Sequence, residues 1–325
     1  MSNLVTGGAG FLGYHLAYEL AEAGRSVVIV DNLVRSQIDP RFEALTQRDN
    51  VKFLHGDLCD QGFVNDLPDV TRVFHLAALN GTQNFYDKPL DVIHHSTIPA
   101  LNLLDRYAQT NLELFAYTGS SESYAGAISR GLTSIPTPET TPLVIDEVNN
   151  PRWSYAAGKM HGELAVVAAG SQYNTPWQIW RVHNCVGPRM GAKHVIPDFV
   201  ERAVRGVYEL YGYEDTRTFI YSDDAIAAMI GLANAPAAIG QIINIGGEEE
   251  ITMQALGAKI MSVLGHTGAI ALHPSPTGSV KRRCPDIRKL KELLPTLNIR
   301  RFDDTLRSTV EAVVSEIEAG QYGTK

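Results

Sequence analysis

A chain of 325 residues with 44% hydrophobic and 20% charged residues has ordinary globular composition, enough to build a large core in one or two domains. Its formal charge of -8 excludes the broad basic footprint of a nucleic-acid binder, and no Lys/Arg-rich run marks a membrane surface, so anionic ligands must be met by local clusters of cations. Cys59, Cys185 and Cys284 are odd in number and lack CxxC spacing, which predicts neither a disulfide framework nor a metal site and fits a reduced, cytoplasmic setting.

The chain enters a strand pattern at once, without a basic region and apolar stretch, and no run of about 18 apolar residues follows, so neither a signal peptide nor a membrane span is expected. Short apolar runs at 2–5, 26–30, 51–54, 72–76, 112–117 and 177–181 alternate with helical patterns at 11–23, 41–48, 89–109 and 152–172. That alternation predicts an α/β fold, a doubly wound parallel sheet with right-handed crossovers. The Thr/Pro/Gly-rich stretch AGAISRGLTSIPTPETTPLVIDEVNN is too long for a plain connection, and loops of that length are more often functional than passive. After about residue 182 the pattern changes to Gly/Pro loops, short strands and helices at 194–205, 223–234, 252–264 and 303–318. The expected organisation is a dinucleotide-binding domain over 1–181 and a smaller C-terminal α/β substrate region over 182–325, some segments of which return to the sheet.

The first strand runs into TGGAGFLG, which places Gly7, Gly10 and Gly13 between a strand and a helix. Glycines let the backbone turn tightly and approach a pyrophosphate, and the helix start at Phe11 and Leu12 offers free N–H groups and a positive dipole end. Asp31 closes the second strand, VVIVD, with Asn32 beside it. An acid there accepts hydrogen bonds from both ribose hydroxyls and repels a 2'-phosphate, so the cofactor expected of this Rossmann-type domain is NAD rather than NADP. Arg35 reads as a solvated loop arginine. Farther on, WSYAAGK at 153–159 sets Tyr155 and Lys159 at i, i+4, on one face of a helix. Alone, that spacing is also one turn of any amphipathic helix.

With TGGAGFLG, Asp31, GDL at 56–58, HLAA at 75–78 and YAAGK in order, the chain resembles the extended short-chain dehydrogenase/reductase family over nearly its whole length. RVHNCVGPRM (181–190), RTFIYSDDA (217–225), INIGG (243–247) and RRCPDI (282–287) are similar to segments of the branch that modifies nucleotide sugars. The resemblance implies that Asp57 and Leu58 hold the adenine and that Ala77 and Ala78 pass near the pyrophosphate. It also makes Ser120 the catalytic hydroxyl and Tyr155, supported by Lys159, the base against the cofactor. Departures are Ser96, Pro99 and Ala100 in place of the family's N-x-x-G-T, and Ala125 in place of the glycine of V-Y-G.

A free tyrosine, with a pKa of ~10, is a poor base at neutral pH; Lys159 and a cationic nicotinamide would favour its phenolate. Glu122 is more than a plain dehydrogenase requires. Once a ketone forms at C4 of a sugar, neighbouring protons become acidic, and a second acid/base can remove or return one. His194, in KHVIP, is similar to the partner acid/base of GDP-fucose synthase. Arg217, Arg282 and Arg283 fall on family positions that grip the substrate's pyrophosphate, with Asn184 as a donor and Arg189 and Lys193 as extra cations.

The function expected first is a nucleotide-sugar epimerase working through transient C4 oxidation with NAD regenerated. Nucleotide-sugar decarboxylase or dehydratase is the alternative, favoured by the S-S-E run and by GPRM and RRCPDI. A net NAD(P)-dependent sugar oxidoreductase and a dinucleotide-sensing protein are the others; intact Ser120, Tyr155 and Lys159 argue against a sensor. Helices 89–109 and 152–172 carry apolar stripes that in relatives pair into an intersubunit bundle, so a homodimer is expected.

Overall fold

The computed structural model describes residues 1–36, 38–192, 194–275 and 280–320. Seven strands, β1 (Ser2–Thr6), β2 (Ser26–Asp31), β3 (Val51–His55), β4 (Arg72–His75), β5 (Leu114–Ser120), β6 (Trp177–Val182) and β7 (Gln241–Ile245), form one sheet in the order β7-β6-β5-β4-β1-β2-β3. Every pairing in it is parallel. Strand residues alternate between faces. Val5, Val27 and Ile29 therefore pack with Leu16 and Leu20 of the Phe11–Glu22 helix and Met229 and Leu232 of the Ser222–Ala233 helix. Leu4, Val28 and Val30 face the other way, onto Leu103 and Tyr107 of the Pro89–Tyr107 helix and Val166 of the Trp153–Tyr173 helix.

The expected doubly wound sheet is thus observed. Its strand order reverses between β1 and β4, and in such sheets ligands bind outside the strand C-termini at that point. β7 comes from the C-terminal half and completes the sheet edge beside β6.

The rest of that half has its own core, in which Phe199, Leu210, Leu256, Phe302 and Leu306 are buried. The helices expected there are observed at Val195–Val204, Ser222–Ala233, Met253–Val263 and Phe302–Glu318. A three-stranded sheet runs through Ile251–Thr252, Thr216–Arg217 and Arg282–Arg283. Its parallel register sets Arg217 beside Arg283. The long connection after β5 braces this sheet: Thr137 N–H donates to the Cys284 carbonyl, and Asp286 N–H donates to the Thr137 carbonyl. No described helix is long and apolar enough to cross a membrane.

Candidate active site

Because all seven strands are parallel, their C-terminal ends share one edge, and the candidate residues collect there. After β1 the chain turns at Gly7, whose φ of 67° is left-handed. A Cβ on Gly7 would lie 2.9 Å from Ala77 Cα, and one on Gly13 would lie 2.1 Å from the Gly7 carbonyl oxygen. The loop is therefore closed to any side chain at either place. The helix beginning at Phe11 has Gly10 as its N-cap, without a capping side chain or an acid in its first turn, so its N–H groups and positive end remain available to an anion. Ala77 follows β4 and is tied to the same spot, its N–H donating to Thr6 Oγ1 at 3.2 Å.

Asp31 ends β2 and is buried. It accepts from Leu33 N–H at 2.8 Å and from Ala9 N–H at 3.1 Å. Burial pushes its carboxyl up, and these N–H groups with the Ser36 hydroxyl pull it back. Asn32 caps Val34 N–H through its side chain. Leu58 is buried, and Asp57 Oδ1 accepts from Cys59 N–H at 2.9 Å. These residues fit an adenosine with free ribose hydroxyls. Asp31→Ala is expected to weaken NAD by about 10–100-fold, the loss of charged hydrogen bonds worth ~1.5–3 kcal/mol, and to relax discrimination against NADP. Titration calorimetry with both dinucleotides checks it, and equal NAD and NADP affinities in the parent would contradict the reading.

Tyr155, Lys159 and Glu163 stand at successive four-residue steps on one face of the Trp153–Tyr173 helix, and all three are buried. The helix can lie close because Gly158 meets Ser96, where a Cβ would come within 2.6 Å of the serine Cβ. The Tyr155 ring stacks on Phe85 with centroids 5.3 Å apart. Lys159 Nζ donates to the Thr118 carbonyl at 2.7 Å and lies 4.8 Å from the Tyr117 ring centroid and 5.9 Å from that of Tyr155. Burial pushes its pKa down to about 8, against the pull of Glu163. That carboxylate is itself bound at 2.6 Å by Arg181.

The sequence assigns the lowering of the Tyr155 pKa to Lys159 together with a cationic nicotinamide. Among the protein groups burial dominates and pushes the phenol up to about 12, with the Ser120 hydroxyl and the charge of Arg35 pulling it down. Protein groups alone leave Tyr155 protonated. Arg35 is exposed in its loop, as the sequence suggests, and its charge bears on Tyr155 and on His194.

Glu122 follows Ser120 in a 3-10 turn, where the Ser120 hydroxyl accepts from Glu122 N–H at 3.2 Å. Its carboxylate takes Arg283 at 2.6 Å and Arg152 at 3.3 Å. Burial alone would raise the Glu122 pKa, but Arg283 and Arg152, helped by Arg217, hold it below the ordinary glutamate value. Arg217 is crowded in turn: burial and then Arg283 bring it down to about 10, and its own carboxylate partner, Asp215, is 3.6 Å away. Among the described residues three guanidiniums therefore meet two carboxylates, an excess of one positive charge.

Successive strand residues point to opposite faces, and this separates the arginine pair. Arg283 turns in to Glu122, while Arg282 is exposed and pairs with Glu250 at 2.7 Å. Arg189 does not join the cluster either. It lies on the cofactor side, donating to the Ala9 carbonyl at 2.9 Å, pairing with Asp39 and lying over the Tyr14 ring. Asn184 donates to the Thr218 carbonyl at 2.9 Å, which fixes the chain leading out of Arg217. His194 is half-buried at the N-cap position of the Val195–Val204 helix without capping it. Burial and Arg35 push its pKa down to about 4, leaving a neutral imidazole. Lys193 lies outside the described residues. Arg152 was missed in the sequence, although a cation three residues before Tyr155 shares a helix face with it.

A glycine loop fitted to a pyrophosphate, an acid placed for a ribose, and a Ser-Tyr-Lys group at the next strand end define a dinucleotide-dependent α/β enzyme. The NAD dependent epimerase/dehydratase family model matches residues 3–246, and the chain belongs to that family. Its cofactor is NAD, as Asp31 suggested. The UDP-N-acetyl-alpha-D-glucosaminuronate decarboxylase of Bacillus cytotoxicus is 30% identical over 323 residues, 95% of this chain and 96% of that protein. The UDP-glucuronic acid decarboxylase 1 of Danio rerio is 28% identical, covering 97% of this chain and 73% of that protein. Among solved structures, a dTDP-glucose 4,6-dehydratase of Streptomyces venezuelae with NAD bound superposes with a TM-score of 0.87 at 25% identity, covering 98% of each chain.

Proposed function

We propose that the protein is an NAD-dependent nucleotide-uronate decarboxylase, acting through a transient ketone at C4 of the sugar. The observation that carries the reading is the arginine excess around Glu122. A 4-epimerase of neutral sugars has no anion to place beside the catalytic serine, whereas a uronic acid carries a carboxylate on C5; a uronate 4-epimerase would share that anion, and the mass of the product separates the two. The decarboxylases among the relatives support the same choice over the epimerase expected first.

NAD, held by the Gly7–Gly13 loop, Asp31 and Asp57, would supply a reversible acceptor for the C4 hydride, with no net oxidation. Ser120 and Tyr155 hold the C4 oxygen; the positive charge of a bound nicotinamide, added to that of Lys159, would favour the phenolate, the phenol's own proton passing to solvent, and the phenolate then takes the C4 hydroxyl proton. Lys159, fixed by the Thr118 carbonyl, places its positive charge beneath the Tyr117 and Tyr155 rings. A carboxylate β to the C4 ketone then loses carbon dioxide, its bonding electrons passing into the C4–C5 enolate. Arg152 and Arg283 orient that carboxylate before it leaves. While it shares their charge, Glu122 is stabilised less as an anion and can carry the proton that C5 needs. His194, neutral at working pH, is a candidate to assist across the ring.

Incubating the protein with UDP-linked glucuronate and N-acetylglucosaminuronate and weighing the products tests the reading. Loss of carbon dioxide is expected. A product of unchanged mass would restore the epimerase, and loss of water would indicate a dehydratase.

We also propose a homodimer through the Pro89–Tyr107 and Trp153–Tyr173 helices, whose outward residues include exposed Leu101, Leu164 and Val167. A cytoplasmic setting is proposed from the three free thiols.

A further inference from the structure

Asp57, Cys59 and His95 offer one carboxylate oxygen, one thiol and one imidazole nitrogen, all within 4.8 Å of one another and all partly exposed. No sequence spacing announces the trio. The first two follow β3, and the third rides on the Pro89–Tyr107 helix.

The geometry is prepared on three sides. His95 Nδ1 lies 2.9 Å from the Asp91 carbonyl, which can only accept, so Nδ1 donates there and Nε2 is the nitrogen left for the shared space. Nε2 lies 3.7 Å from Asp57 Oδ2, so the two side chains already face each other. A metal-bound histidine typically donates its other nitrogen to a backbone carbonyl in this way. Asp57 Oδ1 is occupied by Cys59 N–H, which leaves Oδ2 for the shared space. Asn102, on the same helix as His95, donates to the Leu58 carbonyl at 2.8 Å and pins the turn to the helix. Tetrahedral zinc bonds of ~2.0–2.3 Å put ligand atoms about 3.3–3.6 Å apart. Rotamer adjustments of about 1 Å therefore close the site.

We propose that Asp57, Cys59 and His95 form a site for a borderline-soft divalent cation of the zinc class, with solvent at the fourth position, and that its occupancy excludes NAD. The exclusion rests on the expected placement of the adenine at Asp57, since a carboxylate bound to a metal cannot also receive the base. Cys59 binds as thiolate, its proton passing to solvent. By linkage NAD must expel the ion as strongly as the ion expels NAD.

Co²⁺ is the probe, because a thiolate ligand gives it a charge-transfer band in the near ultraviolet that Zn²⁺ addition then removes. One Co²⁺ per chain with that band is expected in the parent protein. The band should vanish in Cys59→Ser, and His95→Gln should weaken binding by about 100-fold or more, at or beyond the upper end of the ~10–100-fold seen for losses around metal sites. Saturating NAD should abolish the band in the parent. No band in the parent, a band retained in Cys59→Ser, or a band indifferent to NAD would each overturn the proposal. No sugar substrate enters the experiment, so its failure is separable from failure of the decarboxylase reading.

Discussion

Replacing Tyr155 with phenylalanine is expected to lower turnover by about 10³-fold, within the ~10²–10⁴ attributed to a positioned general base, and to do so without loosening the fold. The ring that stacks on Phe85 is kept, and only the hydroxyl facing Ser120 is removed. Since the phenol acts before any other group, neither reduced cofactor nor keto sugar should form in a single turnover. Absorbance of reduced NAD reads this directly, and a thermal melt matching the parent's excludes an unfolding artefact. Turnover within tenfold of the parent would remove Tyr155 from the first step and shift the base to Ser120 or to a water held by Lys159.

The cofactor half of this site was legible because it is written in local pattern. Glycines at fixed offsets, an acid at a strand end and a period switching between two and 3.6 each arise within one strand-turn-helix unit. The Tyr155–Lys159 pair was legible for the same reason, its spacing being that of one helical turn. The environment of those groups was not. The sequence put Lys159 close enough to tune Tyr155, but the helix buries both, so desolvation outweighs attraction and the phenol rises instead. Burial depends on the sheet and on Ser96 meeting Gly158, contacts that no local pattern carries.

The substrate half depended still more on assembly. Arg282 and Arg283 are adjacent in sequence and equal as charges; only strand alternation and the register with Thr216–Arg217 turn one toward Glu122 and the other to solvent. Arg189 stood in a segment that suggested substrate binding, yet a left-handed φ of 67° and the nearby Asp39 and Ala9 carbonyl draw it to the cofactor loop. The loop after β5 suggests a functional role by its length, and the structure shows a structural one. That role is to hold the RRCPDI segment at Thr137, a contact made across the fold.

Glu122→Gln should separate the second chemical step from the first. The amide keeps the size of the side chain and a carbonyl oxygen for Arg283, but it cannot deliver a proton and no longer offsets the guanidiniums. With Tyr155, Lys159 and Ser120 intact, C4 oxidation should proceed, and reduced NAD should accumulate on the enzyme while overall turnover falls by about 100-fold or more, the scale of a lost general acid. Arg282→Ala, whose partner is Glu250 at the surface, should leave the rate near that of the parent and serves as the control for altered charge alone. In deuterated water the parent should place one deuterium at C5 of the pentose product, because the proton that replaces carbon dioxide comes from solvent through Glu122. The variant's residual product should carry the same label, formed slowly by water itself. A parent product without solvent deuterium at C5 would overturn the decarboxylation itself, whereas if Glu122→Gln turns over at nearly the parent rate the carboxylate is only a brace for Arg152 and Arg283. The proton would then have to come from another group at the sugar, with neutral His194 the first to test.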